Sequence, residues 1–156
     1  MEVYKPPVDY KKVPGKISIF LAGTIEMGNS IDWQKKITDQ LQSIDKKNNL
    51  VILNPRRDQW DASWKQDISN PIFKQQVYWE LNHLDLADII ILYLDPEKKS
   101  PISLLELGLH ANSNKVLICM PPGFYRTGNI QIVAEKYNIP LFNNFSDLLK
   151  AISEKL

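Results

Sequence analysis

The chain is poor in several things that would narrow its class. It has a single cysteine, Cys119, in 156 residues. One thiol excludes an intrachain disulfide framework and fits a reducing compartment. Its place at the end of the apolar run Val116-Leu117-Ile118-Cys119 marks it as a buried, inert thiol rather than a nucleophile. Net charge is only +1 and no basic block stands out, which speaks against a nucleic-acid backbone as partner. No apolar run approaches the roughly 20 residues that span a bilayer, so no membrane partner is expected. Residues 1–16 carry lysines and prolines but no apolar core of a secretory signal, and a cytoplasmic address is expected. The two histidines, His83 and His110, have no Cys or acid at ligand spacing and predict no metal site. The Gly-x-Gly-x-x-Gly fingerprint is absent, which excludes the usual NAD or FAD turn; no cofactor is expected. There is no internal repeat and no low-complexity tract.

What remains is an ordinary soluble composition, 44% hydrophobic and 24% charged, with length for one domain. Residues 1–16 hold Pro6, Pro7, Pro14 and Gly15 and read as an irregular arm; residues 17–156 read as a single α/β domain. Ile17-Ser18-Ile19-Phe20-Leu21 is the first strand, ending in the turn Ala22-Gly23-Thr24-Ile25-Glu26-Met27-Gly28. Ser30 or Asp32 caps a helix whose stripe is Trp33, Ile37, Leu41 and Ile44. Leu50-Val51-Ile52-Leu53 is the second strand. A polar stretch from Asn54 to Asn70 follows, long enough to suggest a functional role. It carries Arg56, Arg57, Trp60 and Trp64, and reads equally as a lid over a flat ring or as a cover for the edge of the core.

Asn70 and Pro71 predict a helix start. Phe73, Val77, Leu81 and Leu84 are its expected buried stripe, with Glu80 on the margin and His83 in solvent. A half-buried carboxylate needs either a partner or a function. Glu80 is therefore paired with Arg56, Arg57 or a lysine, or else functional. Asp88-Ile89-Ile90-Ile91-Leu92-Tyr93-Leu94 is the most apolar segment and predicts a central strand. Ser100 to Gly108 follows it, placing Glu106 in the first turn of a helix at the carboxyl end of that strand, where open α/β sheets bind ligands. There the helix dipole favours an ionised carboxylate, one able to act as a nucleophile. The same Ser103-x-x-Glu106 spacing also matches a plain capping box. Lys115 to Met120 is the fourth strand, Pro121 to Asn129 a loop, Ile130 to Tyr137 a helix, Pro140 to Phe142 a fifth strand and Ser146 to Lys155 a last helix. Alternating strand and helix units predict a doubly wound, five-stranded parallel sheet of flavodoxin-like order 2-1-3-4-5, helices on both faces.

Five motifs in order resemble the nucleoside 2-deoxyribosyltransferase superfamily, which includes the 2'-deoxynucleoside 5'-monophosphate N-glycosidases. They are Phe20-Leu21-Ala22-Gly23-Thr24-Ile25; Asn54-Pro55-Arg56-Arg57; Tyr78-Trp79-Glu80-Leu81 with Ala87-Asp88-Ile89; Ser100 to Gly108; and Phe124-Tyr125-Arg126-Thr127-Gly128-Asn129. The likeness runs over residues 17–145. It implies that Glu106 is the nucleophile toward the anomeric carbon of deoxyribose. Glu80 stands where the family usually has Asp, and would assist proton transfer to the leaving base or orient the sugar. Gly23, Thr24, Glu26, Asn54 and Arg57 are implied substrate-binding positions, with Trp60, Asp61, Ser100, Ser103 and Asn129. Trp60 and Trp64 would stack on the base, and the Gly23 turn would let backbone approach the sugar. Asn129 matches an asparagine that reaches a neighbouring subunit's site, which implies a homo-oligomer. The implied partners are a small 2'-deoxynucleoside and a nucleobase. Ser100 stands where the transferases have a sugar-binding Asp and the nucleotide hydrolases a Ser near the 5'-phosphate. Glu26 stands where the hydrolases place an arginine, and a carboxylate there repels a phosphate. The second departure weighs more, favouring transfer between deoxynucleosides over hydrolysis of monophosphates.

Overall fold

The runs Ile17–Gly23 (β2), Leu50–Leu53 (β3), Ile89–Tyr93 (β4) and Val116–Cys119 (β5) form strands that are buried along most or all of their length. Such runs need cover on both faces, as in a parallel sheet. In the computed structural model, which describes residues 1–25 and 32–155, every strand pairing is parallel. Glu26 and the candidate cap Ser30 lie outside the described residues.

The sheet has six strands in the order β1-β3-β2-β4-β5-β6, not five, where β1 is Glu2–Tyr4 and β6 is Leu141–Phe142. The added strand comes from the arm expected to be irregular. Glu2, Val3 and Tyr4 pair with Val51, Ile52 and Leu53, and Asn54 N–H extends the ladder to the Tyr4 carbonyl (2.9 Å). Three residues are too few to show a period in sequence, and the prolines that suggested an irregular arm come after them. The five strands read from the sequence keep the relative order 2-1-3-4-5 within the six.

Helices α1 (Trp33–Ile44) and α5 (Phe145–Ser153) cover one face, packing with Ile19, Leu21, Ile52, Ile91 and Leu117. Helices α2 (Pro71–Leu86), α3 (Pro101–His110) and α4 (Thr127–Tyr137) cover the other, over Phe20, Val51, Leu53, Ile90, Leu92 and Ile118. Asp32 caps α1 by accepting from Lys35 N–H (2.9 Å), and Trp33, Ile37 and Leu41 are buried as the stripe requires. Helix α4 begins three residues earlier than expected, so Asn129 is helical rather than in a loop. No helix among the described residues is long and apolar enough to cross a membrane.

Helix α2 is rotated from its expected setting. Its buried residues are Gln76, Trp79, His83 and Leu84, while Leu81 is 37% exposed. At about 100° per residue Glu80 falls within that arc, between Gln76 and Leu84, rather than outside a stripe through Phe73, Val77 and Leu81. The arm explains the shift, because it covers a second side of the helix. Trp79 Nε1–H donates to the Val8 carbonyl (2.9 Å), and Tyr10 N–H donates to His83 Nε2 (3.0 Å). His83 Nδ1 lies 2.6 Å from the Trp79 carbonyl, and the two rings stack at 3.9 Å. His83, expected in solvent, is 2% exposed and has a backbone partner at each ring nitrogen.

Gly23 ends β2 at φ +141°, and a Cβ there would stand 2.4 Å from the Tyr93 oxygen and 2.8 Å from its nitrogen. The bare Cα thus serves the approach of β4. Gly23→Ala is expected to destabilise the fold by about 2 kcal/mol or more, several degrees in Tm. Gly108→Ala, whose Cβ meets nothing within 4 Å, is expected to be neutral or slightly stabilising in the same thermal melts.

Candidate active site

The carboxyl ends of β2 and β4 are tied together just past Gly23. Thr24 N–H donates to the Tyr93 carbonyl (3.0 Å), and Asp95 N–H donates to Thr24 Oγ1 (3.0 Å). Thr24 Oγ1 and Ser100 Oγ share a buried hydrogen bond of 2.6 Å. Trp33 Nε1–H holds the Thr24 carbonyl from the other face of the sheet (2.9 Å). Ser100 is the N-cap of α3, in the left-handed region at φ 51°, ψ 53°, with Pro101 at the first helical position. A non-glycine residue there costs on the order of 1 kcal/mol. The Thr24 bond and the proline's fixed φ hold it in place.

This start overturns the capping-box reading. The cap is Ser100, Ser103 lies inside the helix, and Glu106 falls in the second turn rather than the first. Ser103, Glu106 and His110 form one buried face of α3. Burial, not the helix dipole, governs the charge of Glu106. Its carboxyl is pushed up to about 8, first by desolvation and then by the charge of Glu80. The expectation that it stays ionised in the free protein is therefore corrected.

Glu80 comes from α2, which Asn70 caps by accepting from Ile72 and Phe73 N–H (3.1 and 3.4 Å). Its carboxyl is also raised, by desolvation, against the opposing pull of a hydrogen bond from Gln76. Gln76 Nε2 donates to Glu80 Oε1 (2.8 Å) and to the Pro55 carbonyl (2.9 Å). Among the described residues neither Glu80 nor Glu106 pairs with an arginine or lysine, which removes the ion-pair reading of Glu80. Arg56 Nε lies 3.8 Å from Asp32, and the Arg57 guanidinium lies 5.5 Å from the centre of the Trp64 ring. Two buried carboxyls, one under the electrostatic influence of the other, are suited to face a developing cation.

The other candidate residues divide. Gly23, Thr24 and Ser100 form the joint between β2 and α3, and Ser103 shares the Glu106 face. Asn54, at the end of β3, is 5% exposed, and its Oδ1 accepts from Arg56 N–H (3.0 Å). Trp60 packs edge-on against Trp64 at 5.2 Å, above the loop base that Gln76 holds. Asp61 is not drawn in: its carboxylate closes an exposed turn with Ser63 N–H (2.8 Å) and Ser63 Oγ (2.6 Å). Asn129 lines a groove between α3 and α4 with Leu104, Gly108 and Arg126. Leu104 and Gly108 are on the side of α3 opposite Glu106, so Asn129 is apart from the carboxylates of its own chain. Asp88 of the third motif is at the amino end of β4, where it accepts from Ser18 N–H (2.9 Å) and Ser18 Oγ (2.8 Å) and is structural. Gln76 was missed; its spacing of four from Glu80 is the signal that could have found it.

The raised Glu106 carboxyl gives a stability prediction with a definite sign. The folded chain holds a proton that the unfolded chain releases near 4.5, so between about 4.5 and 8 stability falls as pH rises. Glu106→Gln removes the ionising group while keeping its shape. It is expected to raise stability by about 2 kcal/mol at pH 8 and by little at pH 4.5, read from denaturant midpoints at the two pH values.

A family model described as "Nucleoside 2-deoxyribosyltransferase like" matches residues 16–124, a span that includes the Gly23 turn, Asn54, Glu80, Ser100 and Glu106. No curated protein matches the chain. Among solved structures, the crystal structure of a conserved protein from Enterococcus faecalis V583 is similar, with a TM-score of 0.65 over 90% of this chain and 99% of that one. At 16% identity that likeness is one of fold. With well over half of its length matched, the chain belongs to the nucleoside 2-deoxyribosyltransferase-like family.

Proposed function

We propose that the protein is a nucleoside 2-deoxyribosyltransferase that cleaves the N-glycosidic bond of a 2'-deoxynucleoside and passes the sugar to another nucleobase, or to water. The observation that carries this reading is the pair Glu80 and Glu106, both desolvated, with neither paired to a lysine or arginine among the described residues. Such a pair suits a reaction that creates positive charge at carbon. A Glu106 oxygen attacks C1' as the C1'–N bond breaks, and its electron pair stays on the base nitrogen, which takes a proton from Glu80 or from water. A deoxyribosyl ester on Glu106 results. A nitrogen of the second base, or water, then attacks C1', restores the Glu106 carboxylate and returns a proton to Glu80. Two inversions give net retention.

Hydrolysis of 5'-monophosphates is the second reading, favoured by Ser100 in the joint with Thr24. Incubating a deoxynucleoside with a different free base separates the two: base exchange without phosphate supports transfer, and release only from monophosphates supports hydrolysis. Ligand binding without any cleavage would instead mark a nucleotide-binding sensor.

Glu106→Gln is expected to lower turnover by several orders of magnitude; near-normal base release, followed by chromatography, would overturn the assignment. In the intact enzyme kcat/KM is expected to rise with pH through about 8, where Glu106 of the free enzyme ionises. In Glu80→Gln the residual activity should show this limb at lower pH, because a neighbouring negative charge is gone.

The assembly is proposed to be a homo-oligomer. Ile102, Leu105 and Leu109 form one exposed apolar face of α3, each more than half exposed, and Asn129 stands apart from its own chain's carboxylates. Leu105→Glu is expected to reduce the mass seen by light scattering; an unchanged mass argues against this face.

A further inference from the structure

Four polar atoms around the loop that follows β3 are buried with no hydrogen-bond partner: Arg56 Nη1, Arg57 Nη1, Trp60 Nε1 and Gln76 Oε1. Burying a donor or acceptor unpaired is unfavourable enough that each such group calls for an explanation. Three of the four belong to five consecutive residues, and all three are donors. The fourth is an acceptor, on the residue that fastens the base of this loop through Pro55 and touches Glu80. Gln76 is itself only 4% exposed.

The orientation of the Gln76 amide follows from its partners. Turned over, it would set its oxygen against the Pro55 carbonyl and the Glu80 carboxylate, acceptor against acceptor. Both amide hydrogens are therefore committed, and only Oε1 is left to meet a ligand. This matters for base recognition. A glutamine reads adenine by giving one hydrogen bond and accepting another. Gln76 has none to give. Arginines, in contrast, pair with a carbonyl oxygen and a ring nitrogen, and two are present with an indole N–H.

Resting on the glycosyl-transfer reading of the same site, we infer that the Arg56–Trp60 loop and Gln76 select nucleobases in the lactam form: hypoxanthine and guanine among purines, uracil and thymine among pyrimidines. Such a base offers a carbonyl oxygen with two lone pairs, a further acceptor, and one ring N–H. That inventory matches three donors and one acceptor. Adenine carries an amino group in place of the C6 carbonyl and cytosine one in place of the C4 carbonyl, and in their nucleosides neither has the ring N–H; the amino group's second hydrogen meets a donor and its partial positive charge faces the guanidinium groups.

The test compares kcat/KM for deoxyinosine and deoxyuridine with that for deoxyadenosine and deoxycytidine. In parallel, calorimetry on Glu106→Gln measures binding of the free bases hypoxanthine, uracil, adenine and cytosine, a readout independent of turnover. A preference for the lactam base of about ten- to a hundredfold within each ring class is expected, the size of one or two unmet buried hydrogen bonds. Trp60→Phe, which keeps a ring and loses the N–H, should shrink that ratio. Equal or better use and binding of adenine and cytosine overturns the inference while leaving glycosyl transfer intact. Lactam-selective binding with no cleavage of any deoxynucleoside sustains the inference and sinks the transferase reading.

Discussion

Two carboxyl groups held out of water, with no lysine or arginine paired to either among the described residues, are the constraint around which this fold is arranged. Desolvation raises both, and the charge of Glu80 raises Glu106 further. Nothing in the hydrophobic core requires them: an apolar side chain at either position would fold more readily. They persist only because the surrounding elements are rigid enough to hold them. The strands beneath are buried and parallel, the α3 start is fixed by Ser100 and Pro101, and α2 is covered on two sides. A site that stores instability in this way is the expected balance between activity and stability.

The joint at the top of β2 and the arm beneath α2 have complementary effects. Gly23 lets β4 come close, so Thr24 can reach Tyr93, Asp95 and Ser100 together. This sets where α3 begins and hence which way Glu106 faces. On the other helix, the arm binds Trp79 and His83 through backbone groups. With that side occupied, the remaining inward direction of α2 belongs to Gln76 and Glu80. The first residues of the chain therefore act on the site at a distance, by fixing the roll of a helix.

Much of this was legible in the residues because the strands are short, apolar and punctuated. Leu50–Leu53 coincides with its expected bounds, and the stripe on α1 was read from its period. The errors have physical causes. A three-residue strand leaves no periodic signal, so the sixth strand was invisible. The stripe on α2 was drawn through its apolar residues, yet the helix buries a histidine and a tryptophan because the arm supplies them with hydrogen bonds, and a glutamine that bonds to Pro55 and Glu80. Period alone cannot show a partner from 70 residues away. Ser103 and Glu106 fit a capping box by spacing, but Pro101 favours an earlier start and Ser100 accepts the unfavourable backbone. The two carboxylates were found by their motifs; their mutual effect on protonation needed the fold.

The unequal support given to the two acids bears on how such a site would turn over. Gln76 donates to Glu80 and draws its carboxyl back toward the ionised form, while Glu106 has no comparable donor among the described residues. In the empty site a proton therefore favours Glu106, the group proposed to attack. A sugar bound with its anomeric carbon beside Glu106 reverses that order, because positive charge gathering at C1' stabilises the nearby carboxylate. The proton is then better held at Glu80, beside the departing base. On this view the free enzyme rests with its nucleophile neutral and its proton in the wrong place, and the substrate itself arms the pair. Gln76 would thus serve twice, biasing the proton through its nitrogen and facing the base through its oxygen, so that one buried amide couples what the site accepts to when it reacts.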